Sequence, residues 1–130
     1  MFKAKNILLV SVVIVFSIVT ILSLIPPKLG MPRIPTNDKV GHFLAYATLS
    51  VNVCLLFDSW KKEVFIALLS IVLYGVLIEF LQGFVDRETS FYDFLANTLG
   101  VAVGASIVRL FRRPITQFLV KINVISLHEK

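Results

Sequence analysis

Four runs of apolar residues, 7–25, 40–57, 64–84 and 91–110, alternate with short polar clusters along the chain. A membrane-spanning helix needs roughly 17–25 predominantly apolar residues. Each run therefore predicts one span, the second near the lower limit. The first follows Lys3 and Lys5 and is interrupted only by Ser and Thr. A signal peptide's apolar region is about 7–15 residues and ends at a small-residue cleavage site. This run is longer and stops at Pro26-Pro27-Lys28, so a retained span is expected.

Pro27, Pro32 and Pro35 keep the connection to Lys39 extended, since proline lacks the donor a helix interior needs. Thr36, Asn37 and Asp38 are candidate N-caps for the second helix. Residues 58–62 form a polar turn whose Trp60 and lysines suit a membrane–water interface, and residues 86–90 turn the chain back. Beyond Arg112-Arg113-Pro114, Ile115, Phe118, Leu119 and Ile122 recur at helical spacing, with Gln117 and Lys121 off that face. Two readings stay open for this tail: a short amphipathic helix on the membrane surface, or a weakly ordered end. The expected fold is an all-α integral membrane protein. A four-transmembrane-helix bundle occupies residues 1–113 and a basic amphipathic cytoplasmic tail residues 114–130.

Composition agrees with this pattern. The 130 residues are 57% hydrophobic and only 16% charged, with a mean hydropathy of +0.87. Soluble domains carry roughly 45–50% apolar and about 25% charged residues. The net charge of +5 does not indicate nucleic acid, because a basic soluble face needs polar surface the chain lacks. Cys54 is the only cysteine and lies in an apolar run, which excludes an intrachain disulfide framework.

Basic residues orient the spans. One side would hold Lys3, Lys5, Lys61, Lys62, Arg109, Arg112, Arg113, Lys121 and Lys130; the other would hold Lys28, Arg33, Lys39 and Arg87. The richer side is cytoplasmic by the positive-inside rule, which places both termini in the cytoplasm. Asp38, Lys39 and His42 then start the second span on the outer side. Glu79 and Gln82 lie near the outer end of the third, and Asp93 and Asn97 near the outer start of the fourth. At 1.5 Å per residue, Glu79 would sit roughly 8–12 Å below the outer loop.

Spacing within the helices gathers these groups. Asp38, His42 and Tyr46 stack at four-residue intervals, and Gly75, Glu79, Gln82 and Asp86 share a stripe. Asp93, Asn97, Gly100 and Gly104 form another, whose glycines permit close helix approach. An ionisable group inside a span is a functional-site hypothesis by default. Structural roles stay open beside the functional ones. Asp93 fits a capping box with Ser90, and His42 suits a loop carbonyl. Tyr46 and Asn97 suit interhelical bonds, Lys39 and Arg87 suit snorkelling anchors, and Glu79 suits a pair with Arg87 or His42.

The ordered set Asp38-Lys39-x-x-His42-Phe43-x-x-Tyr46, Gly75-x-x-x-Glu79-x-x-Gln82 and Arg87-x-x-Ser90-x-x-Asp93-x-x-x-Asn97-x-x-Gly100 resembles the VanZ-like family of bacterial membrane proteins. The match covers roughly residues 36–104. The resemblance implies a small helical protein of the bacterial cytoplasmic membrane. It also implies a link to the cell envelope, since the founding member is associated with low-level teicoplanin resistance. The family's biochemical activity is not settled.

Two functions compete. One is an enzyme acting on a membrane lipid or lipid-linked envelope precursor. Glu79 or Asp93 would be its acid or base and His42 a partner base. Lys39 and Arg87 would hold a phosphate or carboxylate, and Asp38, Tyr46, Gln82 and Asn97 would complete the binding surface. The other is a non-catalytic binding or immunity protein for a head group or an antibiotic. No nucleophile motif is present; His42 with two carboxylates could make a metal site, but one core histidine is a weak signal and no metal ligand is assigned. The cofactor requirement and oligomeric state are open. Transport is the weaker idea, because no repeat is visible and no polar residues lie deep in the inner half.

Overall fold

The computed structural model describes residues 2–25, 38–57, 60–85, 87 and 89–122, with side chains from residue 6 in the first helix and residue 39 in the second. Four helices follow in order: α1 (Phe2–Leu24), α2 (Asp38–Leu55), α3 (Lys62–Gln82) and α4 (Phe91–Lys121). At 1.5 Å per residue α1, α2 and α3 run about 34, 27 and 31 Å, against a bilayer core of about 30 Å. Three helices are long and apolar enough to cross a membrane: α1 from Asn6, α3 and α4. The fourth, α2, is diluted by Lys39, His42, Tyr46, Ser50 and Asn52.

Those polar groups have neighbours to meet, because α2 is the helix the others pack around. Its most extensive contact is with α4, and it also touches α1 and α3. The cause is the small-residue stripe of α4. A Cβ on Gly100 would collide with the Phe43 carbonyl, and one on Gly104 with the Ala47 carbonyl. Glycine alone lets the two backbones lie this close. Ser50 Oγ then donates to Val101 O across the seam at 2.9 Å. On the other flank Ser11 Oγ donates to Asn52 Oδ1 at 2.7 Å.

The packing is inverted relative to a soluble protein. His42, Ser50, Glu79, Gln82, Asp93 and Asn97 are buried, while Leu69, Leu73, Phe80, Leu99 and Leu110 are exposed. Water would penalise that exterior; lipid does not. The buried apolar groups form two small clusters, one around Tyr46, Leu49, Ile71 and Val101 and one around Cys54, Val64 and Val108. Successive helices alternate in direction, so the bundle has two unlike ends. At one, Arg112 donates to Phe57 O and Arg109 lies 5.7 Å from the Trp60 ring centroid. The other end carries Glu79 and Asp93.

The tail differs in form from an independent helix. Pro114 has no N–H, and its ring crowds the Leu110 carbonyl four residues back. The chain leaves helical geometry at Phe111 (φ −111°, ψ 20°) and then continues helically to Lys121. The segment expected after Pro114 is thus joined to α4 across a kink. Phe118 and Ile122 on its apolar face are exposed. Residues 123–130, with Lys130, lie outside the described residues, as do Lys28, Arg33 and Asp86.

Candidate functional site

Three helices bring His42, Glu79 and Asp93 together at the carboxylate end, all buried. One donor atom of each lies within 4.8 Å of the other two. His42 Nδ1 is 3.9 Å from Glu79 Oε1 and 3.0 Å from Asn97 Oδ1. An amide oxygen only accepts, so in this bond Nδ1 is the donor. Lys39 Nζ lies 3.8 Å from Asp93 Oδ1 and reaches the site from a half-exposed position.

The Ser90 N-cap shows why Asp93 is turned inward. Ser90 Oγ accepts from the Tyr92 N–H at 3.2 Å, the ordinary capping bond. The reciprocal partner of a capping box would be Asp93. Here the Ser90 N–H instead donates to Glu79 Oε2 at 3.4 Å, from a different helix. Glu79 therefore ties the end of α3 to the start of α4, and the Asp93 carboxyl is released toward Lys39 and the cluster. This crossed arrangement requires both helix ends at one depth.

Beneath the charged layer, Tyr46 and Asn97 converge over Gly75. A Cβ there would sit 3.1 Å from Tyr46 Cε1 and 3.3 Å from Asn97 Nδ2. The Tyr46 hydroxyl and Asn97 Nδ2 are buried and have no hydrogen-bond partner among the described residues. Buried polar groups are normally satisfied, so such orphans call for an explanation.

Gln82 and Arg87 reach the site's edge through a contact the sequence does not advertise. Gln82 Nε2 donates to Ser23 O at 3.0 Å, and Arg87 donates to Leu22 O at 2.9 Å. Both acceptors belong to the last turn of α1, whose final carbonyls have no intrahelical partner. The same terminus carries partial negative charge, which favours the guanidinium. Backbone acceptors leave no residue-type signature; the legible hint was only that α1 ends near Pro26.

Of the expected site residues, the structure gathers His42, Glu79, Asp93, Asn97, Tyr46 and Lys39 directly, and holds Gln82 and Arg87 against α1. The Asp38 backbone begins α2, but its side chain lies outside the described residues. Two grooves open beside the cluster. One, of about 430 Å³, lies between α1 and α2, walled by Val15, Val19, Leu22 and Leu44, with His42 and Arg87 at its polar end. From Val15 to Ser23 it follows α1 for about 12 Å. The second, of about 580 Å³, is lined by Glu79, Phe80, Phe84, Ser90, Phe91 and Phe94.

A family model described as VanZ/LLP1 matches residues 3–112. The match takes in all four helices up to the kink, and so every residue of the cluster. No curated protein and no solved structure matches the chain.

Proposed function

The chain belongs to the VanZ/LLP1 family, and from that premise we propose an integral membrane protein that acts on a lipid or lipid-linked envelope molecule at the outer leaflet of the bacterial cytoplasmic membrane. All four helices would span, both termini would be cytoplasmic, and the cluster would face outward. The observation that carries this reading is the groove between α1 and α2. It is a long apolar trough that ends at His42 and Arg87, the form expected of a site that takes an acyl or prenyl chain with its head group at the polar end.

The chemistry would fall to the residues as follows. Arg87 and Lys39 hold an anionic head group, Arg87 by its planar donors and Lys39 as a point charge. Glu79 and Asp93 serve as acid and base, and His42, oriented by Asn97, shuttles the proton between head group and carboxylate. Tyr46 offers its buried hydroxyl as a donor. By changing the envelope, such an activity would bear on teicoplanin susceptibility. The same groove in a non-catalytic binding protein would retain the lipid unchanged.

Gly41 tests the groove. It lines the trough, and a Cβ built on it meets nothing within 4 Å. Gly41→Trp should fill the trough without disturbing the buried cluster. In native mass spectrometry of the purified protein, co-purifying lipid should fall at least tenfold in this variant. Equal lipid in wild type and variant would remove the groove from the proposal.

Orientation has its own test. After Cys54→Ala, a cysteine at position 87 should be labelled from outside intact cells and one at position 61 should not. The reverse pattern would turn the site toward the cytoplasm.

A further inference from the structure

We propose that His42, Glu79 and Asp93 form a site for one divalent transition-metal ion of the Zn²⁺ or Mn²⁺ class. The inference stands on the donor set, whatever substrate the protein takes. A single core histidine is only a weak signal along the chain. Geometry adds what spacing lacked: an imidazole and two carboxylates arrive from three separate helices, all buried, with donor atoms within 4.8 Å of one another.

Charge balance favours an ion. Two carboxylates this close in a weakly polar interior repel when both are ionised, and a divalent ion between them removes that repulsion. The cation at Asp93 is Lys39, with a side chain 53% exposed and its nitrogen 3.8 Å away, beyond hydrogen-bond reach. Asp93 itself is 4% exposed, and its Oδ1 accepts no hydrogen bond among the described residues. A buried carboxylate oxygen turned into the cluster, with no hydrogen-bond donor on it among the described residues, is a suitable metal ligand. A 2+ ion would neutralise both carboxylates, and Lys39 is free to swing outward.

The surrounding groups fit a metal layer. Asn97 Oδ1, 3.0 Å from His42 Nδ1, either orients the ring from behind or joins the coordination sphere once Nδ1 gives up its proton. The Tyr46 hydroxyl is fully buried and has no hydrogen-bond partner among the described residues. It can donate to a metal-bound water or carboxylate. One nitrogen with carboxylate oxygens and no thiolate suits Zn²⁺ or Mn²⁺ rather than a soft ion. Tetrahedral Zn²⁺ bonds of about 2.0–2.2 Å place ligands roughly 3.3–3.5 Å apart. Small side-chain rotations would close the present spacing.

The experiment uses the full chain, purified in detergent with no polyhistidine tag and stripped with a chelator. Titration with Mn²⁺, followed by electron paramagnetic resonance, should give one saturable site per chain. Zn²⁺ should displace the signal, and the bound spectrum should show coupling to one imidazole nitrogen. His42→Ala should remove that coupling. Glu79→Gln and Asp93→Asn should each weaken binding at least tenfold, and Ser106→Ala, on the exposed face of α4, should leave it unchanged. Absence of saturable Mn²⁺ or Zn²⁺ binding by the wild-type chain would overturn the proposal, and it needs no variant to fold. Equal binding by wild type and a monodisperse Glu79→Gln/Asp93→Asn double variant would overturn it as well.

Discussion

Gly100→Leu should prevent α2 and α4 from docking, and Gly104→Leu should do the same one turn further along. In each case the added carbon meets a backbone carbonyl of α2, at Phe43 or Ala47, not the end of a flexible side chain. A side chain in the way can change rotamer; a helix backbone must move as a body. Overpacking that side-chain shifts can absorb costs about 1–3 kcal/mol, and forced helix separation belongs at or beyond the top of that range. The Ser50–Val101 bond would break with it. Thermal unfolding in detergent should show a loss of at least 10 °C in the midpoint, or no monodisperse protein. Gly41→Ala is the matched control. Space around Gly41 is open, and alanine is worth about 1 kcal/mol over glycine within a helix, so stability should hold or rise.

Glu79→Gln should do the opposite, sparing the fold and removing the function. Glutamine has nearly the same shape, and its carbonyl oxygen can still accept from the Ser90 N–H. What it cannot do is carry the negative charge or exchange a proton with His42. Loss of a positioned acid or base costs on the order of 10²–10⁴-fold in rate. The variant should therefore insert, purify and unfold like wild type while the activity falls by about that factor. A parallel loss of folded protein would make Glu79 a structural strut between α3 and α4 instead.

How far the sequence reached depended on which kind of group carried each contact. Side chains at three- and four-residue spacing were readable, so the convergence of His42, Glu79, Asp93 and Asn97 could be anticipated from their stripes. The glycines of α4 were readable too, because only close helix packing gives them a use in a span. Contacts to backbone were not. The α1 carbonyls at Leu22 and Ser23 that hold Arg87 and Gln82 look like any other apolar stretch. Neither was the exchange by which Glu79 takes the capping partner that local spacing would assign to Asp93. Local sequence signals name local partners, and this one is eleven residues away on another helix. At Pro114 the consequence is geometric: the helix bends at Phe111 and then continues to Lys121.

Whether this buried polar cluster acts on an envelope lipid or lipid-linked precursor is decided by comparing lipids and precursors among a strain lacking the gene, the wild type, and a strain carrying Glu79→Gln at wild-type protein level. One lipid or precursor class should change on deletion, and the Glu79→Gln strain should reproduce the deletion profile. Three identical profiles would contradict this activity.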